Sequence, residues 1–513
     1  MSEADPTPLV GRRPRLLDAF ESWSQYRREA GIDSGGGALT AYLATLDPRI
    51  QAAASTCYIT DWEDQLQGTG PQDAEQQFPG QLKNGLDHGD LIIAFAPKPF
   101  LICSTTEDFF PIAGARKTFR EVQRIYQILG TGEKISQFVA PGEHGMPKPR
   151  REAIYGWMNE WLKGAPPSPA PEPHFETEYE QALLCTMAGQ VSTSLGGDTA
   201  SFLNIRRFLP ISPARQPLKS GADVDRLKSG IREAVLQMTR YEPPHSRVAI
   251  QEEESRRNGY VMSRLTYEVS PGRSVPALLA VPESARRETV LFVDEQGMDA
   301  DAQPGGDLDQ LAQRGYTVLA LDPSGLGEAT PDWSAGPDIA SVERKKVSWL
   351  ALMVGRPLVG IRMEDIVGGM NVLREKGLLH GGACIGFAKG LAGVDLLHVA
   401  VIDERISRLI LQGNLVSNGA IATRPIHKQI LDAVLPGVLS KYDFVDLAAA
   451  VAPRPVRMLN LRSPVGHTIS LRDAQRAYRY ARASYRAAGV PGNFSTGLRR
   501  EDEGVASAYP ELH

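Results

Sequence analysis

The sequence predicts an α/β protein with mostly parallel sheets, arranged as two large units. Three observations predict it. Short apolar runs rich in β-formers alternate with helix-length amphipathic stretches, which is the pattern of βα repeats. A proline-dense segment, GAPPSPAPEP from Gly164 to Pro173, separates two such runs of alternation. Finally, 49 glycines and 37 prolines in 513 residues supply turns in a quantity that suits strands and loops better than a helical bundle.

In the first unit, residues 1–165, strand-like runs lie at Ile50–Ile59, Pro99–Ser104 and Lys134–Ala140. Between the last two, Phe119, Val122, Tyr126 and Leu129 recur at helical spacing, while Arg116, Lys117, Arg120 and Arg124 fall mainly elsewhere. That predicts an amphipathic helix over 111–129 lying on a sheet. Residues 166–245 read as a Pro-rich linker and a polar, partly helical connector with a Gly-rich turn at Ser194–Gly197. The second unit, 246–513, has strand-like runs at Val275–Val281, Thr289–Val293, Tyr316–Leu321, Ala383–Gly386, Ser407–Gln412 and Val456–Leu461, and a long helix over Arg472–Ala488.

Composition narrows the function. With 56 Lys and Arg against 61 Asp and Glu the net charge is −5, which argues against nucleic acid as a partner. No apolar stretch is long enough to span a bilayer, and the first twenty residues lack the basic flank and apolar block of a secretory signal. The expectation is a cytoplasmic chain without a membrane partner. Cys57, Cys103, Cys185 and Cys384 are far apart, form no CxxC pair and sit mostly in apolar runs, so buried free thiols are expected rather than a disulfide or metal site.

The segment that carries chemistry is Gly31-Ile32-Asp33-Ser34-Gly35-Gly36-Gly37, followed by the helix-like Ala38–Leu43. A serine among glycines at a strand-to-helix transition is what a nucleophile elbow requires. The tight turn strains the serine backbone, lifts its Oγ clear of the sheet and tolerates only small neighbours. The helix N-terminus beneath it supplies a positive dipole end and a free N–H able to stabilise an oxyanion. Further on, Asp108 falls in the loop after a buried strand and His144 falls just past another, beside Gly142 and Gly145. The order Ser34, Asp108, His144 is that of the α/β-hydrolases, and the spacings leave room for two βα units and then one. Glu107 is the alternative acid.

These segments, with Cys57–Trp62, Asp108–Ile112, Glu143–Gly145 and Trp157–Leu162, resemble an acetyl xylan esterase-like α/β-hydrolase domain. They resemble more distantly the prolyl oligopeptidase-type catalytic domain and the dienelactone hydrolases. In such families the chain often continues through a connector like Gly189–Gly197 into a second hydrolase-like domain. The resemblance implies hydrolysis of a carboxylic ester, with Ser34 as nucleophile, His144 as base, Asp108 as its orienting acid, the Gly35 N–H as half of the oxyanion hole and no metal or organic cofactor. The implied partner is a small-molecule or carbohydrate ester. Two alternatives stand beside it: a catalytically inactive hydrolase-fold scaffold, and a prolyl oligopeptidase-like serine peptidase, for which no propeller-like repeat is present.

The pattern departs from the family in two places. Only 33 residues precede Ser34, fewer than the strands and oxyanion loop that usually come before an elbow. The first domain is therefore expected to be incomplete at its N-terminus, with an open sheet edge that another copy of the chain could cover and with secretion restored if an upstream segment exists. Ser24–Ala30 is polar where a buried strand is expected, and Ile32 is bulky two residues before the serine. In the second domain the motif Gly386-Phe387-Ala388-Lys389-Gly390 holds alanine at the nucleophile position, no histidine occurs over 468–512, and His467 comes too early to serve as base. A non-catalytic domain is expected there, with Lys389 at a helix N-terminus as a candidate anion ligand. Asp294–Met298 sits where an oxyanion loop would be and Leu321–Glu328 resembles the loop after an early hydrolase strand, but both are expected to be structural turns on a relic scaffold. Trp62, Trp157 and Trp161 are expected mainly in packing rather than in sugar contact.

Overall fold

A computed structural model describes residues 29–30, 34–167, 169–174, 176–211, 214–245, 247–331, 339–500, 503–509 and 512. The chain forms two compact units, the first ending at Tyr179 and the second beginning at Glu180. Both are α/β units with mostly parallel sheets.

The first unit contains β1 (Glu29–Ala30), α1 (Gly35–Leu46), β2 (Ala52–Thr56), α2 (His88–Phe95), β3 (Phe100–Glu107), α3 (Ile112–Ile128), β4 (Ile135–Glu143) and α4 (Lys148–Lys163). The strands lie side by side in the order β1-β2-β3-β4, all parallel, with Ala53 opposite Phe100 and Phe100 opposite Ile135. Polar as it is, the end of the Ser24–Ala30 run does enter the sheet, since Glu29 and Ala30 pair with Ala52 and Ala53. Residues 24–28 and 31–33, including Ile32, lie outside the described residues.

Helices cover both faces, which is why β2 and the first six residues of β3 are buried without alternation. On one face Ala53, Phe100 and Ile102 pack against Ala41 of α1, Ile92 and Phe95 of α2, and Val122 and Tyr126 of α3. On the other, Ala52, Ala54, Leu101 and Cys103 pack against Ile154, Trp157 and Met158 of α4. The α3 stripe holds as far as Tyr126, whereas Leu129 is exposed just past the helix. The tryptophans fill packing roles: Trp62 and Trp157 are buried, and Trp161 is packed against the second cluster.

In the second unit the stretch expected as a connector contributes α5 (Gly221–Thr239), whose Val224, Ile231 and Val235 are buried in that unit's main core. The sheet has nine strands: β5 (Arg247–Arg257), β6 (Tyr260–Ser270), β7 (Arg273–Pro282), β8 (Thr289–Asp294), β9 (Thr317–Leu321), β10 (Cys384–Lys389), β11 (Ile406–Gln412), β12 (Val456–Leu459) and β13 (Phe494–Gly497). Their spatial order is β13-β12-β11-β10-β8-β9-β7-β6-β5. From β9 to β13 every pair is parallel; β5, β6 and β7 form an antiparallel edge. The helix α6 (Ala392–Ile402) follows β10 and is buried along its whole length. The helix expected over Arg472–Ala488 is two helices, Leu471–Ala477 and Arg479–Ala487, joined at Tyr478.

The four strands of the first unit repeat the layout of β10-β11-β12-β13, a run of consecutive parallel strands each followed by a helix or loop at its carboxyl end. Among the described residues no helix is long and apolar enough to cross a membrane.

Candidate functional site

Parallel strands present all their carboxyl ends at one rim, and the loops there collect polar groups that a rigid sheet holds in place. In the first unit this rim carries Ser34 beyond β1, Cys57 after β2, Asp108 after β3 and His144 after β4.

Ser34 stands immediately before α1 with φ 54° and ψ −114°, a backbone conformation that L-residues seldom adopt and that is maintained only where the surroundings enforce it. Its N–H donates to the carbonyl of Thr56 at 3.1 Å, tying the turn to the end of β2. Gly37, one turn into α1, explains the glycine run. A Cβ there would fall 2.1 Å from the same Thr56 carbonyl oxygen, so only glycine lets the helix sit this close to the strand. Gly35 follows Ser34 as the first helical residue, and its N–H belongs to the unpaired first turn of α1.

Asp108 and His144 meet. The Nδ1 of His144 lies 2.9 Å from Oδ1 of Asp108. Asp108 also accepts from the hydroxyl of Thr105 at 2.9 Å and from the Phe110 N–H at 3.1 Å. Its side chain is only 2% exposed, against 23% for His144, so the acid is sequestered while the imidazole reaches the surface of the rim. Burial pushes the Asp108 carboxyl up, but hydrogen bonds from His144, the Phe110 N–H, Cys57 and Thr105 outweigh it and hold the group below the usual carboxylate range. It is therefore an anion at neutral pH. Glu107, the alternative acid, is exposed. Ser34 is not hydrogen-bonded to either partner: among the described residues no hydrogen bond joins its hydroxyl to His144 or Asp108.

Two further residues belong to the site. The ring of Phe109 stacks on His144 with centroids 4.4 Å apart and planes 20° from parallel, which restrains the imidazole. Cys57 has φ 50°, and its Sγ lies within 4.8 Å of the polar atoms of both Asp108 and His144. Arg150 donates to that sulfur at 2.6 Å and also to the Gly145 carbonyl, fixing the loop that carries His144. Burial pushes the Cys57 thiol up to about 12, so at neutral pH it is an uncharged SH. Cys57, Asp108 and His144 also carry the donor types of a metal site, their ligand atoms lying within 4.8 Å of one another, and His144 Nδ1 is bonded to Asp108. The cluster is arranged for hydrogen bonding. The sequence signal for Cys57 was its place directly after an apolar strand; for Phe109, its place beside Asp108. Of the four cysteines, Cys57, Cys103 and Cys384 are buried free thiols, whereas Cys185 is free but exposed.

The second unit has the same turn with different residues. After β10, Gly390 takes φ 63° and its N–H donates to the Gln412 carbonyl at the end of β11, at 2.8 Å. This reproduces the Ser34-to-Thr56 bond, and Gly393 reproduces Gly37, since a Cβ on it would meet Asn414 at 2.9 Å. The position that corresponds to Ser34 is thus Gly390, not Ala388. The strand runs on through Lys389, two residues further than the motif suggests, and Ala388 is a fully buried strand residue. Lys389 is no anion ligand either, because its Nζ is held by Asp301 at 2.7 Å and Asp307 at 2.9 Å. Where a base would follow β13, Arg499 pairs with Asp307 at 2.7 Å. Asp322, in the loop after β9, accepts from the Met298 and Glu328 amides and so serves as a turn organiser.

No family model and no curated protein sequence matches the chain. Solved structures do. A protein from Bacteroides fragilis, provisionally described as an acetyl xylan esterase, is 16% identical with TM-score 0.49, over 59% of this chain and 82% of that one. An acetyl xylan esterase from Paenibacillus sp. R4 is 15% identical with TM-score 0.35, over 58% and 93%. A CE15 glucuronoyl esterase from Teredinibacter turnerae is 14% identical with TM-score 0.40, over 60% and 87%.

Proposed function

We propose that the first unit is a serine hydrolase that cleaves carboxylic esters, with acylated carbohydrate of the acetyl xylan type as its substrate class. The observation that carries this reading is the His144–Asp108 pair, 2.9 Å apart, on the same strand rim as a serine whose backbone is held at φ 54°. Asp108, buried and anionic, fixes Nδ1 of His144 as the protonated nitrogen and leaves Nε2 as the base. The Ser34 Oγ attacks the acyl carbonyl while Nε2 takes its proton, and the same proton then passes to the leaving alcohol. Water repeats the sequence in reverse to free the acid. The Gly35 N–H contributes one donor to the developing oxyanion. The Ser34-to-His144 bond that this mechanism uses forms in the complex with substrate.

In the same reading the second unit performs no acyl transfer, because Gly390 has no side chain to act as nucleophile. A scaffold role for the whole chain is the second reading, favoured by the absence of a bond from Ser34 to His144 among the described residues.

Release of acetate from acetylated xylan and hydrolysis of p-nitrophenyl acetate by the full chain decide between them. The hydrolase reading expects turnover that falls by about four to six orders of magnitude in Ser34→Ala and His144→Ala, to the level of background. Equal rates in wild type and both variants point to the scaffold.

A further inference from the structure

We propose that the elbow of the second unit is a binding site for a small hydroxylated organic carboxylate, such as a sugar acid, and that it binds this ligand without transforming it. The inference concerns the second unit alone and does not depend on catalysis by the first.

The starting point is what replaces the missing side chain at Gly390. A Cβ built there would fall 1.9 Å from Cδ of Glu295, so the carboxylate of Glu295 occupies the space that a nucleophile would take. One of its oxygens accepts the N–H of Leu391 at 2.8 Å. Leu391 is the residue after the elbow, and its N–H is the donor that in an acyl-transfer enzyme faces the oxyanion. The other oxygen accepts from Arg462 at 2.6 Å. The turn has therefore kept its capacity to hold a carboxylate, and the carboxylate it holds is its own.

Beside this group opens a cavity of about 380 Å³, lined among others by Gln296, Lys428, Gln429, Arg462 and His467. Glu295 neutralises Arg462, whereas Lys428 has no ion pair among the described residues. The cavity thus presents one uncompensated cation, a guanidinium shared with Glu295, and two side-chain amides that can pair with hydroxyls. A volume of this size matches a monosaccharide-sized ligand. A carboxylate on that ligand would engage Lys428 and the outer edge of Arg462, and its hydroxyls would meet Gln296, Gln429 and His467. His467, which follows β12 too early to be a base, acquires a role here as a cavity wall.

Calorimetric titration of the full chain with galacturonate, and with neutral galactose as control, tests the proposal. Galacturonate is expected to bind at millimolar concentration or tighter, and galactose at least about tenfold more weakly. K428A is expected to weaken galacturonate about fivefold, and E295Q, which removes the competing charge while keeping an acceptor for Leu391, to tighten it about fivefold. Ser34→Ala should leave binding unchanged. No binding of galacturonate to either wild type or E295Q overturns the proposal. So does binding that K428A and E295Q leave unaltered, or that Ser34→Ala abolishes, since the ligand would then sit elsewhere.

Discussion

Asp108→Asn is expected to lower kcat for ester hydrolysis by about four orders of magnitude while leaving the protein folded. The reason is the proton on Nδ1. As an anion, Asp108 can only accept, which compels His144 to carry its proton on Nδ1 and to present a basic Nε2. Asparagine has nearly the same shape and can retain its bond from the Thr105 hydroxyl, whereas the Phe110 N–H shares with His144 the Oδ1 that an amide nitrogen would replace. It can also turn its amide toward Nδ1, which selects the opposite tautomer and puts the proton where Ser34 needs a base. It also removes the negative charge that stabilises the imidazolium during attack. Glu107→Gln, at the exposed alternative acid, is the matched control and should stay within about twofold of wild type, as surface changes usually do. A loss confined to Asp108→Asn assigns the acid; a loss of less than tenfold there removes Asp108 from the mechanism.

Gly37→Ala is expected to lower both stability and activity. The added methyl would fall 2.1 Å from the Thr56 carbonyl oxygen and 3.1 Å from Cβ of Tyr58, and neither can move independently of the sheet. The helix must shift instead, at a cost of about 1–3 kcal/mol for overpacking of this kind. Thr56 also accepts the Ser34 N–H, and Ser55 donates its hydroxyl to the Gly37 carbonyl at 2.9 Å, so a shift of α1 disturbs the serine directly. Thermal unfolding should show a transition several degrees lower, and the esterase rate should fall beyond what the lost folded fraction explains. Wild-type values for both would mean that the contact between α1 and β2 is looser than the structure indicates.

The strand runs of both units were legible because strands covered by helices on both faces are nearly uninterrupted apolar segments. Ala52–Ala54, Phe100–Cys103 at the start of β3, and Thr289–Asp294 are of that kind. The β5–β6 pair was not, although Tyr260–Ser270 alternates between buried and half-exposed residues. Its arginines and glutamates, and the charged run Glu252-Glu253-Glu254 before it, obscure the period of two in a linear reading. At Tyr478 the helical pattern continues through a residue whose φ and ψ of −96° and 20° interrupt the helix, a local detail that side-chain periodicity does not report. The proximity of Asp108 and His144 follows from strand order, and the order of the residues along the chain anticipated it. Gly390 is not legible in the five-residue motif, because the motif does not mark where the strand ends. What shows it is a backbone bond, from Gly390 to Gln412, and backbone bonds leave no mark in the sequence. Cys57 and Phe109 act through contacts from neighbouring loops, which depend on how the loops fold over the rim.

Treatment of the purified full chain with a fluorophosphonate, followed by mass spectrometry of its peptides, bears most directly on whether the first unit contains an activated serine. One phosphonyl adduct is expected, on the peptide containing Ser34, formed within minutes and absent from Ser34→Ala and His144→Ala. A folded protein that acquires no adduct, or one whose adduct maps to another serine, would contradict the assignment of Ser34 as nucleophile.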